Sequence, residues 1–339
     1  MDAIILAVSF TDFALRLGQI FYTIILPVLL LAGVGYLLQR KLGLDTPTLT
    51  RLNFYFVIPG IVYSSLVSSS VQAAEVADAV IFGIAMIAGL TVVTLIAARI
   101  RKVPRDQQSV LLMTALFYNS GNIGLPLQKL AFTPAGLDGW ASAMQVFVMV
   151  VQNVANFTIG ILLAASGRKD RHWKQNLLHI VKFPPIYALL AAVLTIRIRS
   201  WMGPNAPAVA EVFKPFWLAI NYMGDAMIPI ALCTLGAQMA VVRHNGKQYP
   251  VKLSLVLRLL LAPILGLALV YLMGMRGVLA QFLLISTTTP TAVNCMLLCM
   301  EFDNHPDFAA RAVFYSTLLS PIPITLVIFL AQSKLLPGF

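Results

Sequence analysis

Apolar residues run along this chain in long stretches, and polar residues are gathered into the short gaps between them. A helix needs about 20 apolar residues to cross a bilayer. Windows of that kind recur at 19–39, 48–70, 76–99, 107–131, 139–165, 179–199, 211–240, 250–273, 277–301 and 308–332. Backbone groups in lipid must be paired within the protein, so each window is expected to be a helix. The pattern predicts an all-α polytopic membrane protein with ten transmembrane helices and short loops. Ahead of them, Asp2 and Asp12 stand where a secretory leader would be basic, so residues 1–18 are expected to form an interfacial helix leading into the first span.

Two of the windows are interrupted. TALFYNSGNIGLPLQKLAF at 114–132 carries Pro126 at its centre, and LLISTTTPTAVNCMLLCMEF at 283–302 carries Pro290. Proline removes a backbone donor and clashes with the turn before it. The flanking residues are glycines, which allow close backbone approach, and amides and hydroxyls, which are costly at mid-membrane unless used. Pro27, Pro59 and Pro126 in the first half correspond to Pro185, Pro229 and Pro290 in the second, at offsets of 158, 170 and 164. Five spans per half is an odd number, so the second half would enter the membrane inverted. The expected organisation is a first repeat at 1–165, a cytoplasmic loop at 166–178 and a second, inverted repeat at 179–339. Inverted repeats with a broken helix in each half point to alternating access around a midplane site.

Charge sharpens this reading. Hydrophobic residues make up 59% of the 339 and charged residues 11%, against roughly 25% charged in soluble domains. The net charge of +11 would raise nucleic acid as a partner for a soluble protein. Here the Lys and Arg residues sit mostly in short loops, where topology explains them and no nucleic-acid partner is implied. The odd-numbered loops hold sixteen Lys or Arg and the other side seven, Arg258 apart. That bias puts both termini on the non-cytoplasmic side. Arg258 lies inside the eighth window, with the length to snorkel. Cys233, Cys295 and Cys299 all fall in apolar stretches and read as packing residues, with neither a disulfide framework nor a metal set around them.

The broken helices carry the candidate chemistry. Each second half-helix would begin at mid-membrane, where its N-terminus presents free N–H groups and about half a positive charge. Two such ends together hold an anion without a fixed cation. The side chains offered for a substrate are Asn119, Ser120 and Asn122 beside Gly121 and Pro126, then Thr289, Pro290, Thr291 and Asn294, with Asn53 in the second span. The threonines can instead bond back to their own helix. Asp225, in NYMGDAMIP, and the hydroxyls of Thr287 and Thr288 are candidates for a proton or cation site. Asp225 reads equally as a capped structural acid at a local break. Glu301, Asp303, His305 and Asp307 read as a solvated, capped turn. No HExxH, no GxSxG and no paired membrane aspartates are present, so an enzyme is not expected and no cofactor is implied.

Four strings resemble the auxin efflux carrier family, which includes plant carriers and short bacterial members associated with malonate and other dicarboxylates. They are ILPVLLLAGVGYLLQRKLGLDTPTLTRLNFYFVIP at 25–59, YNSGNIGLPL at 118–127, GDAMIPIALCTLG at 224–236 and MEFDNHPDFAARAVFYSTLLSPIPITL at 300–326. The resemblance implies a fold shared with bile-acid symporters and sodium/proton antiporters, two inverted five-helix repeats with crossed broken helices. It implies a scaffold of spans 1, 2, 6 and 7, often dimeric. Spans 3–5 and 8–10 would form a transport domain moving as an elevator. The family's carboxylate-contacting asparagine maps onto Asn119. Plant members open the sixth helix with Asn-Pro-Asn, whereas this chain has Phe183, Pro184 and Pro185. That departure argues against auxin, and the absence of a long cytoplasmic loop fits a bacterial inner-membrane member. The expected function is secondary transport of a small mono- or dicarboxylate, malonate-like. The partners are the bilayer, a second copy and a proton or sodium ion. Sodium-coupled symport of the bile-acid type is the alternative.

Overall fold

The computed structural model describes residues 10–68, 71–167, 184–203, 211–241, 248–333 and 336–339. The expected basic loop beyond Gly167, and the opening of the sixth window with Phe183, lie outside those residues. Among the described residues every regular element is helical. Among the described residues five helices are long and apolar enough to cross a membrane: Ala14–Leu42, Ala73–Ile100, Asp138–Ala164, Lys214–Ala240 and Val251–Leu272. Large apolar side chains such as Ile81, Ile84 and Ile264 stand exposed on their outer faces. A soluble chain would bury these; a bilayer covers them.

The remaining apolar windows are shorter or divided. The first interrupted window becomes Arg105–Leu116 and Leu125–Phe132, and the second becomes Gly277–Ser286 and Val293–Glu301. The last is bent by 50° between Pro306–Leu319 and Pro321–Gln332, where Pro321 cannot continue the hydrogen-bond ladder. Other prolines bend rather than break. Pro27, Pro59, Pro126 and Pro263 each follow a π-helical turn, at Phe21–Ile25, Asn53–Val57, Ser120–Gly124 and Leu257–Leu261. A proline leaves the carbonyl four residues back without its donor, and the wider turn absorbs the misfit.

Helix ends follow ordinary capping rules. Gly43, at φ 61°, closes Leu26–Leu42 and donates its N–H to the Gln39 carbonyl at 3.0 Å. Gln72 and Glu75 form a reciprocal cap on Ala73–Ile100. Asp303 and His305 take left-handed backbone just before Pro306. Between them Asn304 Nδ2 donates to the carbonyls of Leu163 and Ala164 and to Ser109 Oγ. His305 Nε2 lies 3.0 Å from Asp106 Oδ2. The turn leaves Glu301 and Asp303 exposed, as expected, and through Asn304 and His305 it also ties three helix ends together.

Packing sorts the helices into two groups. In one, Leu26–Leu42 lies against Met227–Ala240, and Ile58–Ser68 lies against Pro184–Met202 and Lys214–Asp225. In the other, Ala73–Ile100 packs on Arg105–Leu116, Asp138–Ala155 and Ala262–Leu272. Gly277–Ser286 packs on Pro321–Gln332, and Val293–Glu301 on Pro306–Leu319. Cys295 and Cys299 are buried in this second group, with Cys295 Sγ 3.3 Å from the Met113 carbonyl.

Candidate functional site

The two interrupted helices meet at their breaks. After Leu116 the backbone extends through Phe117 to Asn119, and after Ser286 it unwinds from Thr287 to Ala292. Asn119 N donates to the Pro290 carbonyl at 2.8 Å, and Ala292 N to the Phe117 carbonyl at 2.9 Å. Tyr118 and Thr291 thus face each other as one antiparallel bridge. Each break supplies the hydrogen bonds that the other lost, which is what buried backbone requires. The first break falls upstream of Pro126. Pro126 is the second residue of Leu125–Phe132 and shapes the π turn, while Tyr118 and Asn119 make the break.

The crossing places opposite helix ends on opposite sides. The first turns of the second half-helices, at 120–122 and 293–294, line a cleft. The positive ends of their dipoles give that side positive character. Its walls are completed by Thr50 and Gln238 from one packing group, and by Met149, Gln152, Asn153 and Asn156 from the other. Among the described residues no charged side chain lines the cleft.

Amide orientation is set by backbone partners. Asn119 Oδ1 accepts from Asn122 N at 3.0 Å, capping the half-helix. Gln152 Oε1 accepts from Tyr118 N at 3.4 Å, and Gln145 Nε2 donates to the Ser120 carbonyl at 2.8 Å. Asn122 Oδ1 accepts from Asn53 Nδ2 at 2.8 Å. Several buried amide atoms have no partner: Asn119 Nδ2, Gln152 Nε2, Asn156 Oδ1 and Gln238 Oε1 on the cleft walls, with Asn53 Oδ1 behind them. An unmade hydrogen bond on a buried group costs about 1–3 kcal/mol. A cluster of them around a cleft is the signature of a site built for a polar ligand.

On the far side of the crossing lies Arg258, fully buried. It does not snorkel, because its guanidinium has partners at depth. Nη1 donates to the Ala115 carbonyl at 3.1 Å, Nη2 donates to the Thr287 carbonyl, and the head stands 5.0 Å from the centre of the Tyr118 ring. Ala115 and Thr287 are the C-terminal ends of the two first half-helices. A cation there offsets the negative ends of both dipoles.

The expected site residues therefore divide. Asn119, Ser120, Gly121, Asn122 and Asn294 line the cleft, and Asn53 reaches it through Asn122. Pro126, Thr289, Pro290 and Thr291 shape the crossing without lining it. Thr287, Thr288 and Thr289 hydroxyls donate to the Leu284, Ile285 and Ser286 carbonyls, and Thr291 Oγ1 donates to the Thr114 carbonyl. Asp225 is exposed at the end of Lys214–Asp225 and off the cleft. Gln152, Asn153, Asn156, Thr50 and Gln238 escaped the sequence reading. The amide run in VQNVANF at 151–157, inside an apolar window, was the available signal.

The sequence profile of the family described as "Membrane transport protein" matches residues 20–328. The chain is 26% identical over 313 residues to an "Uncharacterized transporter" of Methanothermobacter thermautotrophicus, covering 89% of this chain and 95% of that one. It is 23% identical over 331 residues to the "Putative malonate transporter" of Rhizobium meliloti, covering 93% and 97%. With "Auxin efflux carrier component 1" of Arabidopsis thaliana it shares 26% identity over 116 residues, 33% of this chain and 18% of that one. The chain belongs to the membrane transport protein family, to which the auxin efflux carriers also belong.

Proposed function

We propose that this membrane transporter is a secondary carrier of a small organic anion, a mono- or dicarboxylate. The observation behind this reading is a cleft at the N-termini of two half-helices, walled by unpartnered amides and, among the described residues, without a charged side chain. Helix N-termini and amide N–H groups hold a carboxylate without fixing it as tightly as a salt bridge would. A carrier needs that balance in order to release what it binds. The relative named as a malonate transporter supports a dicarboxylate among the substrates.

The architecture that goes with this function is ten spans in two inverted repeats, 1–165 and 179–339, in a bacterial inner membrane with both termini non-cytoplasmic. Spans 1, 2, 6 and 7 form the scaffold, and a second copy joins there. Spans 3–5 and 8–10 carry the substrate as an elevator. Support comes from the two packing groups and from the cleft's position between Thr50 and Gln238 on one side and the crossing on the other. Asn119 is the principal contact, because its Nδ2 is buried and unpartnered beside the half-helix end. Asn119→Ala is expected to reduce carboxylate uptake into proteoliposomes at least tenfold, the order lost with one hydrogen bond to a charged group. A thermal melt of the variant checks that it stays folded; undiminished uptake would remove Asn119 from the site.

Coupling to sodium is disfavoured by the second break. The Ala115 and Thr287 carbonyls beside it are held by Arg258, a cation already in place. Uptake is expected to continue unchanged when choline replaces sodium on both sides of the membrane. Loss of uptake in choline would establish the sodium-symport alternative.

A further inference from the structure

Resting on the carboxylate reading, we propose that the cleft selects a singly charged carboxylate that also carries a hydrogen-bond donor, either a hydroxyl or an un-ionised second carboxyl. The argument is in the orientation of three side-chain amides on its walls: Asn119, Gln152 and Gln238, exposed by 6%, 3% and 7%. The two ends of an amide are distinguished by what they bond, and here the neighbouring groups assign each one.

Asn119 Oδ1 and Gln152 Oε1 each face a backbone N–H, from Asn122 and Tyr118. A nitrogen cannot accept there, so the free atoms must be the N–H2 groups, Asn119 Nδ2 and Gln152 Nε2. Gln238 is fixed the opposite way. The Thr50 hydroxyl spends its proton on the Thr46 carbonyl at 2.8 Å. Thr50 Oγ1 can then only accept, so the Gln238 atom 3.0 Å from it is the N–H2 group. The free atom of Gln238 is an oxygen, Oε1, buried and without a donor.

The cleft is therefore polar in the sense of having two different ends. At the crossing it offers two amide donors beside two helix N-termini, which suits one ionised carboxylate. On the wall formed by Met227–Ala240 it offers an acceptor. A second carboxylate there would set oxygen against oxygen, with no cation in the lining among the described residues. Leaving a charge desolvated and unpaired is far costlier than leaving a neutral group so. A hydroxyl or a protonated carboxyl instead donates to Gln238 Oε1 and satisfies it. A diacid would then be carried as its monoanion, and the accompanying proton would travel on the substrate rather than on a protein side chain.

The test is calorimetric titration of the purified full-length protein with propionate, 3-hydroxypropionate and malonate across a pH series. 3-Hydroxypropionate is expected to bind roughly 10- to 100-fold more tightly than propionate, the range set by one buried hydrogen bond made or left unmade. Malonate is expected to bind more tightly as pH falls through its second ionisation, while 3-hydroxypropionate is unaffected over the same range. In Gln238→Met the preference over propionate should shrink to about twofold or less. Equal binding of propionate and 3-hydroxypropionate by the wild type overturns the inference and leaves the carboxylate reading standing, as does malonate binding that is tightest when fully ionised. No binding by any of the three overturns both.

Discussion

Gly236→Ala is expected to destabilise the protein by about 3 kcal/mol or more, at the upper end of what overpacking costs, and to abolish uptake with it. A Cβ built on Gly236 would stand 1.8 Å from the Ala32 carbonyl oxygen. On the facing helix, a Cβ on Gly35 would stand 2.0 Å from the Cys233 carbonyl oxygen. Both obstacles are backbone, so no rotamer change relieves them. Helices Leu26–Leu42 and Met227–Ala240 thus touch main chain to main chain, the close approach that small residues permit between membrane helices. A single methyl must push the two axes apart and loosen every contact along the interface. Once they are apart, the second glycine has room. Gly35→Ala added to Gly236→Ala is therefore expected to cost much less than Gly35→Ala alone. Thermal unfolding of the four proteins in detergent reads this cycle. Additive effects would show that the two close approaches are independent; a Gly236→Ala protein that melts with the wild type would show that the interface yields freely.

The approach of those helices was not legible in the sequence, because glycine is common in membrane spans and only a partner's position gives one of them meaning. The breaks were legible for the opposite reason. Proline, amides and hydroxyls inside an apolar window conflict with a continuous helix wherever it packs. Pro290 lies within its break, as the sequence indicated. Pro126 misled in detail: it lies inside the helix that follows, and the chain parts at Tyr118 and Asn119. A π turn lets the ladder skip the missing donor, so a proline marks a bend unless the neighbouring chain offers other partners. The threonine run likewise read as ligand chemistry from its position, but hydroxyls three residues from a free carbonyl bond to it first. The amides of 152–156 went unread for lack of a proline beside them. They acquire a role only because Asp138–Ala164 packs beside the crossing.

Arg258→Met is expected to destabilise the protein by roughly 2–5 kcal/mol, the range for stranding buried partners of a lost charge, and to stop uptake. At sequence level a lone arginine in an apolar window reads as a snorkelling side chain. Its setting is instead the negative pole of the crossing. Two helices end within the protein at Leu116 and Ser286, and each leaves carbonyls unpaired and half a negative charge uncompensated. One guanidinium spans both ends, with a nitrogen on Ala115 and another on Thr287. The Tyr118 ring beneath it belongs to the break itself. Methionine fills much of the same volume but satisfies neither carbonyl, so the two breaks lose their common tie. Arg258→Lys keeps the charge and gives up the fork that reaches both oxygens. It is expected to fall between the other two in thermal stability and to retain part of the uptake. That ordering separates charge from geometry: lysine equal to arginine would make the dipoles the whole effect, and lysine equal to methionine would make it the paired hydrogen bonds. A methionine variant as stable as the wild type would show that the half-helix ends find other donors. The crossing would then be held by its Tyr118–Thr291 bridge and by the Thr291 Oγ1 bond to the Thr114 carbonyl.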